Sequence, residues 1–300
     1  MIDGALLLDK PIGPTSNAVL QHAKRLFGAA KAGHAGTLDP LASGLLIALF
    51  GEATKFAGPA LDADKEYLAS VKLGVRTSTG DAEGKVLATE LALCGEADLR
   101  QTLDRFRGEI EQVPPMHSAL KRDGVPLYRL ARRGESVERQ PRRVLISSLE
   151  LLRFALPLVE LRVRCSKGTY VRTLAEDIGE ALGCGAHLAA LRRTASGDFR
   201  VEHAYTLEAL QKMTGDERQR ALLPLAAMLA GLPRAELDAA AEDRLRKGQA
   251  LKLGGLGTGL HGVFGATGQV IGLGRAENGG VLRALRLTQV AEKHVKSRPY

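Results

Sequence analysis

Residues 33–44, with the sequence GHAGTLDPLASG, combine one carboxylate with residues that leave space around it. The carboxylate is Asp39, and Pro40 restricts the backbone of both residues. Three glycines in the same stretch permit backbone angles and close approaches that a Cβ would forbid. A bulky partner could therefore come close to Asp39. Asp-Pro and glycine are also common turn residues, so an ordinary turn remains the alternative.

Two further side chains could meet an anion. His34 belongs to the same predicted loop and could hydrogen-bond a backbone group or a phosphate, although a structural histidine is the alternative. Lys10 precedes Pro11 in a rigid loop where a phosphate could be met, and a solvated lysine is its alternative. Both assignments depend on what the rest of the chain does.

Arg172 stands near the start of a predicted helix, where a cation opposes the helix dipole. That cost suggests a pairing with a carboxylate. The alternatives are an exposed arginine or local pairing with Asp177 or Glu180, which lie further along the same predicted helix.

Composition points to a polyanionic partner. The chain has 300 residues, a net charge of +8 and a pI near 9.5, and nucleic acid is a better match than a membrane surface because no strongly amphipathic cationic helix stands out. The three cysteines and seven histidines show no metal spacing, so neither a zinc site nor a disulfide framework is expected. The start of the chain does not resemble a signal peptide, and the longest apolar run is too short for a bilayer. We therefore expect a cytoplasmic protein without a membrane association.

Hydrophobic periodicity indicates the elements that must position these residues. We expect a strand over 5–8, a helix over 16–27, a strand over 45–50 and a helix over 97–106. The alternating segment 67–73 predicts a half-buried strand that begins at Tyr67, for which a core or rim tyrosine is the alternative. Strands are expected over 144–152 and 158–165, followed by a helix over 169–182. Leu191 taken alone is expected in the core.

The most basic window covers residues 121–143, which contain eight Lys and Arg residues and three acidic residues. A solvated helix face and an arm that grips phosphates are both consistent with this composition. From about residue 251, short apolar runs alternate with glycines, which is typical of a small β-barrel. We place a domain boundary near residue 232, giving units at 1–232 and 233–300.

Six segments together resemble one family, the TruB family of tRNA pseudouridine-55 synthases. They are residues 7–16 (LLDKPIGPTS), 33–44, 65–74 (KEYLASVKLG), 114–121 (PPMHSALK), 168–172 (GTYVR) and 188–193 (LAALRR). The resemblance covers about residues 5–193 and weakens after them. Ala35 and Thr37 depart from the family pattern, as does His117, where the family often has tyrosine.

The resemblance implies a role for each matching residue. Asp39 is the catalytic carboxylate, Arg172 pairs with it, and Tyr67 stacks on the flipped uracil. The residues implied to shape the pocket or bind the RNA are His34, Tyr170, Leu191, Lys10 and Lys121. Arg132 and Arg133, in the basic window, are expected to bind the RNA as part of the arm. No cofactor, metal or obligatory protein partner is implied.

The implied fold is α+β. It is a pseudouridine synthase-like mixed, mostly antiparallel sheet with flanking helices and a basic arm at about 117–143. A small PUA-like β-barrel follows at the C-terminal end.

The implied reaction converts a specific uridine to pseudouridine in the T-arm loop of tRNA. Whether Asp39 attacks C1′ or removes a sugar proton stays open, and Tyr67 is one candidate for the base that takes the C5 proton. A non-catalytic RNA-binding or RNA-folding module and a base-excising glycosidase are the rival functions.

Overall fold

The computed structural model of the chain describes residues 2–118, 120–122 and 124–289, without the side chains of Lys121 and Arg132. The strands are β1 (Gly4–Lys10), β2 (Ala32–Ala35), β3 (Ala42–Phe50), β4 (Lys65–Leu73), β5 (Val75–Thr77), β6 (Val86–Thr89), β7 (Gly108–Gln112), β8 (Lys121–Arg122), β9 (Val125–Pro126), β10 (Arg142–Ala155), β11 (Leu158–Cys165), β12 (Ala186–Ser196), β13 (Phe199–Arg200), β14 (Arg234–Leu237), β15 (Leu251–Lys252), β16 (Gly259–Gly265), β17 (Val270–Glu277) and β18 (Val281–Leu287). The α-helices are α1 (Ser16–Phe27), α2 (Ala57–Asp62), α3 (Glu96–Asp104), α4 (Leu127–Arg132), α5 (Val171–Ala181), α6 (Leu207–Lys212), α7 (Gly215–Arg220) and α8 (Ala239–Arg246). Three 3-10 turns lie at Gly51–Phe56, Val201–His203 and Leu225–Leu229.

A nine-stranded sheet organises most of the chain. Its main path runs β1-β3-β12-β4-β11-β10-β7, with β2 paired to β3 and β13 paired to β12. The β3–β12 pair is parallel and the other pairs in this sheet are antiparallel. The predicted α+β class with a mixed, mostly antiparallel sheet is confirmed.

Strand β12 lies between β3 and β4, and we did not predict it from the sequence. Its register places Arg193 opposite Tyr67 on β4 and beside Gly44 on β3. Because side chains alternate along a strand, Leu191 and Arg193 share one face. This strand therefore brings an apolar and a charged side chain next to Tyr67.

Helix α1 confirms its predicted bounds. Thr15 caps the helix by accepting a hydrogen bond from the Ala18 N–H, and Gly28 ends it in the left-handed region. Its apolar stripe packs on the face of β1 and β3 that carries Leu46 and Phe50. His34 differs from the prediction, because it lies in β2 rather than in a loop, and the connecting loop is limited to residues 36–41.

A five-stranded sheet follows, with the order β14-β16-β17-β18-β15 and one parallel pair, β14–β16. It has its own core around Val263, Ile271 and Leu282, to which helix α8 adds Leu245. This sheet agrees with the predicted PUA-like unit. The boundary near residue 232 stays a prediction, and residues 290–300 of the predicted unit lie outside the described residues.

Gly44 is the position where the sheet demands glycine. Its φ is +98°, and a Cβ there would lie 2.3 Å from the carbonyl oxygen of Arg193 on the neighbouring strand. We expect Gly44→Ala to lower the free energy of unfolding by about 3 kcal/mol, since a strained backbone and a clash add. Urea unfolding measures this change.

Gly58→Ala is the matched control. Gly58 lies in α2, and a Cβ there meets nothing within 4 Å. Alanine should leave stability unchanged or raise it by up to about 1 kcal/mol. Equal losses of unfolding free energy for the two variants would contradict the importance of the close approach between β3 and β12 at Gly44.

Candidate active site

The loop that carries Asp39 is fixed on one side by the buried hydroxyl of Ser16. Ser16 Oγ donates to the Leu38 carbonyl oxygen at 2.9 Å and accepts from the Leu38 N–H at 2.8 Å. Ser16 is the first residue of α1 and is 1 % exposed. The residue before Asp39 is therefore tied to the start of a helix that is itself packed on the sheet.

Lys10 holds the other side of the loop. Its Nζ donates to the carbonyl oxygens of Ala42 at 2.6 Å, Pro11 at 2.9 Å and Pro40 at 3.4 Å. The side chain is fully buried at the end of β1, so the predicted phosphate contact is wrong and the ammonium instead binds backbone. Burial lowers the pKa of Lys10 to about 8, against the attraction of the Asp39 carboxylate.

Arg172 anchors the Asp39 carboxylate. Its Nη2 lies 3.0 Å from Asp39 Oδ2 and donates to the His117 carbonyl oxygen at 2.6 Å. The arginine side chain is 6 % exposed, whereas that of Asp39 is 46 % exposed. The predicted pairing partner is the right one, and the local alternatives on α5 are not used. One face of the carboxylate is thus fixed while the rest stays open.

A second carboxylate, Asp81, shares the same arginine and was missed by the sequence analysis. Its Oδ2 lies 3.4 Å from Arg172 Nη1, and its Oδ1 accepts from the Glu83 N–H at 3.1 Å and from the Thr79 hydroxyl. Asp81 is buried. The only available signal was two acidic residues, Asp81 and Glu83, in a polar, glycine-containing loop, and nothing in the sequence linked that loop to Arg172.

Asp39 opens onto a cavity of about 290 Å³. Five of the predicted site residues line it together: Asp39, Tyr67, Tyr170, Arg172 and Leu191. His34 lines a second cavity of about 550 Å³ that shares the Asp39 and Arg172 wall. The walls of this cavity combine two tyrosines and Leu191 with the Asp39 carboxylate and with cationic residues, which are Lys65, Lys167, Arg172 and Arg193. The cavity therefore offers an aromatic and apolar surface to a planar base beside charged groups.

The electrostatics of the cavity keep its ring residues neutral. Burial raises the pKa of Tyr67, although the Arg193 cation opposes that rise, and burial also raises the pKa of Tyr170. Burial lowers the pKa of His34, and the Arg193 cation lowers it further. His34 is therefore neutral at pH 7, and within the described part of the chain its buried Nδ1 has no hydrogen-bond partner.

The basic window folds as the β8–β9 hairpin followed by α4, a helix of six residues. His117 and Ser118, which precede this window at the start of the arm over 117–143, line the cavity around Asp39. Arg133 is exposed, with its Nη1 4.0 Å from Glu135 Oε1. The side chains of Lys121 and Arg132 lie outside the described residues, so their predicted RNA contacts stay predictions.

The chain matches three family models in succession. They are TruB family pseudouridylate synthase (N terminal domain) over residues 24–171, tRNA pseudouridylate synthase B C-terminal domain over 172–230, and Pseudouridine synthase II TruB, C-terminal over 233–288. It is 58 % identical to tRNA pseudouridine synthase B of Burkholderia mallei (strain NCTC 10247) over 285 residues, which is 93 % of this chain and 94 % of the relative. The protein of the same name from Dechloromonas aromatica (strain RCB) is 52 % identical over 97 % of both chains.

The chain belongs to the TruB family. It is therefore a pseudouridine synthase, and the resemblance found in the sequence is confirmed. A solved Cbf5-Nop10-Gar1 complex supports the fold with a TM-score of 0.76 at 28 % identity, covering 95 % of this chain and 85 % of the other. An H/ACA RNP bound to a substrate RNA containing 2′-deoxyuridine gives a TM-score of 0.74 at 26 % identity, over 96 % and 86 % of the two chains. Among the described residues, no helix has the length and apolar character to cross a membrane.

Lys10 gives this site a pH-dependent contribution to stability. Its pKa of about 8 in the folded chain is below the ordinary value of 10.5, so between these values the unfolded chain binds more protons. Stability from this residue therefore rises with pH across that window. Relative to Lys10→Met, we expect the wild type to gain up to about 1.4 kcal/mol per pH unit between pH 8 and 10.5.

Urea unfolding of both proteins at several pH values measures the difference. Lys247→Met is the control, because Lys247 is an exposed lysine directly after α8 and we expect its variant to differ from the wild type by a constant amount. A flat or falling difference for Lys10→Met would show that the buried ammonium does not titrate in this window.

Proposed function

We propose that this TruB-family enzyme isomerises one uridine in the T-arm loop of tRNA, with Asp39 as the catalytic carboxylate. The observation that carries the proposal is the half-exposed Asp39 carboxylate, held by buried Arg172 at the mouth of a cavity with two tyrosines and Leu191. tRNA is the substrate named for the curated relatives that span nearly the whole chain. The T-arm loop comes from the family resemblance.

The chemistry requires a carboxylate at the sugar and a trap for the base. The N1–C1′ bond breaks, the detached uracil turns, and a C5–C1′ bond forms while C5 loses a proton and N1 gains one. No atom is added overall, so no redox partner or cofactor is needed. Asp39 Oδ2 is bound to Arg172, whereas no hydrogen bond from the described residues reaches Oδ1, which is therefore available to the everted nucleotide.

The cavity walls explain why the uracil is retained. Tyr67 supplies a face on which the flipped base stacks, a contact worth about 1–3 kcal/mol. Leu191 and Tyr170 exclude the water that would otherwise capture the sugar. A hydrolytic glycosidase normally needs a second carboxylate facing the bond. Asp81 borders the adjoining 550 Å³ cavity and not the cavity at Tyr67, and its oxygens are bound to Arg172, Thr79 and Glu83.

RNA binding is assigned to the basic arm at residues 117–143 and to the C-terminal unit. Everting a nucleotide costs a few kcal/mol, and phosphate contacts from cationic side chains offset this cost. We assign the catalytic unit to residues 1–232 and the PUA-like unit to 233–300. The enzyme acts without an obligatory protein partner, in the cytoplasm where tRNA is found.

A tritium-release assay tests the proposal. With [5-³H]uridine in a tRNA transcript, the wild type should release tritium, and Asp39→Asn should release none, since the neutral amide cannot stabilise charge at C1′. Asp243→Asn, an exposed change on α8, should keep the wild-type rate. An isolated T-arm stem-loop should be a substrate, and the anticodon stem-loop of the same tRNA should not.

Three other outcomes of this assay would reject parts of the proposal. Equal release by Asp39→Asn would remove the catalytic role of the carboxylate. Free uracil with an abasic RNA would indicate a glycosidase. No release by the wild type, with RNA still bound, would indicate a non-catalytic RNA-binding module.

The basic arm makes a separate prediction about salt. We expect Arg132→Ala with Arg133→Ala to weaken tRNA binding and to reduce the slope of log Kd against log salt by about 1–2. The single-turnover rate at saturating tRNA should stay unchanged, because Arg133 is exposed and does not line the cavity. Filter binding at several salt concentrations measures the slope.

Two exposed arginines elsewhere provide the charge-matched control. Arg100→Ala with Arg153→Ala removes the same charge from positions paired with Glu96 and Glu160. This pair should leave the salt slope close to that of the wild type. A fall in the single-turnover rate as large as the loss of affinity would contradict the arm assignment.

A further inference from the structure

Arg193 is a charged residue buried beneath the Asp39 loop, and the reaction described above gives it no role. It is 2 % exposed, on the face of β12 that also carries Leu191. Its Nε donates to the Leu45 carbonyl oxygen at 2.7 Å, and its Nη2 donates to that of Gly36 at 3.0 Å. These two carbonyls flank the loop that contains Asp39, so one guanidinium joins both ends of the loop.

The same guanidinium reaches Tyr67. Arg193 and Tyr67 are directly opposed in the β12–β4 register, so their side chains lie next to each other on one face of the sheet. The Arg193 cation opposes the rise in the pKa of the Tyr67 hydroxyl that burial causes. Arg193 and Tyr67 also line the same cavity as Asp39. Arg193 is therefore hydrogen-bonded to the backbone on either side of Asp39 and lies beside the tyrosine on which the base is proposed to stack.

Two of the three glycines in residues 33–44 lie against this arginine. A Cβ at Gly36 would lie 3.3 Å from Arg193 Nη1, and a Cβ at Gly44 would meet the Arg193 backbone. The sequence predicted that a bulky partner approaches Asp39 through these glycines. Part of the space that they leave is occupied by Arg193 of the same chain.

The absence of an anionic partner makes this arginine unusual. In the described residues no carboxylate lies within ion-pair distance of its guanidinium, whereas Arg172 has two. Burying an unpaired cation is costly, and an apolar side chain of similar volume would usually be at least as stable. We infer that the cost is offset by a property of the site rather than by folding stability.

We propose that Arg193 is a positioning residue of the isomerisation. Its guanidinium fixes the position of the Asp39 loop relative to the Tyr67 hydroxyl, so that the carboxylate and the aromatic ring contact the same nucleotide. This inference rests on the roles assigned above to Asp39 and Tyr67. Arg193 acts through those two residues and does not itself touch the reacting atoms.

The test compares Arg193→Met with Arg192→Met. Arg192 is the neighbouring residue on the opposite face of β12, where it forms a bidentate pair with Asp9 at 2.9 and 2.8 Å. We expect Arg193→Met to lower the single-turnover rate at saturating tRNA on the order of 10²-fold, because loss of a positioning contact misplaces the reacting groups. The Kd for tRNA should change by less than about twofold, and Arg192→Met should keep the rate within about threefold.

A double-mutant cycle separates positioning from a structural role. If Arg193 acts partly through the Tyr67 hydroxyl, the fold-loss of single-turnover rate caused by Arg193→Met should be about tenfold smaller in a Tyr67→Phe background than in the wild type. Arg193→Lys keeps the charge but has one donor atom in place of three, so it should restore folding stability more than rate. If Arg193→Met does not fold, the cycle is measured with Arg193→Lys.

Two outcomes would overturn the inference. One is a rate loss for Arg193→Met that is matched by an equal loss of tRNA affinity. The other is a fold-loss of single-turnover rate that is the same with and without the Tyr67 hydroxyl. Activity that survives Asp39→Asn would instead reject the proposed function itself, so the two failures are distinguishable.

Discussion

The ion pair between Asp39 and Arg172 sets the central constraint on this structure. A carboxylate that must meet RNA has to be exposed, yet it must also keep one orientation. Arg172 meets both needs, because it is almost fully buried and is itself held by Asp81 and by the carbonyl oxygens of Thr79 and His117. Because several partners already fix the guanidinium, orienting the Asp39 carboxylate costs little additional conformational entropy.

The loop around Asp39 is fixed by buried polar side chains from separate elements. Lys10 comes from the end of β1, Ser16 from the start of α1 and Arg193 from β12. Each satisfies loop carbonyls that a buried connection would otherwise leave unpaired. The parallel contact of β3 with β12 makes this arrangement possible, because it brings Arg193 beside Gly44 at the point where the loop enters the sheet.

The sequence was sufficient to predict elements whose apolar residues recur at a regular period. It was also sufficient to predict site residues that belong to recognisable motifs. Helix α1 and strand β11 have their predicted bounds, and five of the predicted site residues are among those that line the 290 Å³ cavity. Strand β12 was missed because two adjacent arginines interrupt its apolar pattern. The burial of Lys10 was missed because a lysine beside proline normally predicts a solvated loop, and only the tertiary structure supplies three carbonyl acceptors.

Asp81 shows why pairwise contacts between distant segments limit such predictions. It meets Arg172 only because the loop after β5 and the first turn of α5 converge, and neither segment contains a signal for the other. The pairing also separates isomerisation from hydrolysis in physical terms. A second carboxylate is present, but Arg172 lies between it and Asp39, and its oxygens are bound to Arg172, Thr79 and Glu83. It can therefore balance the charge of the buried arginine. Asp81 borders the 550 Å³ cavity and not the 290 Å³ cavity at Tyr67, and activation of a water molecule at the sugar would require a carboxylate oxygen without these partners.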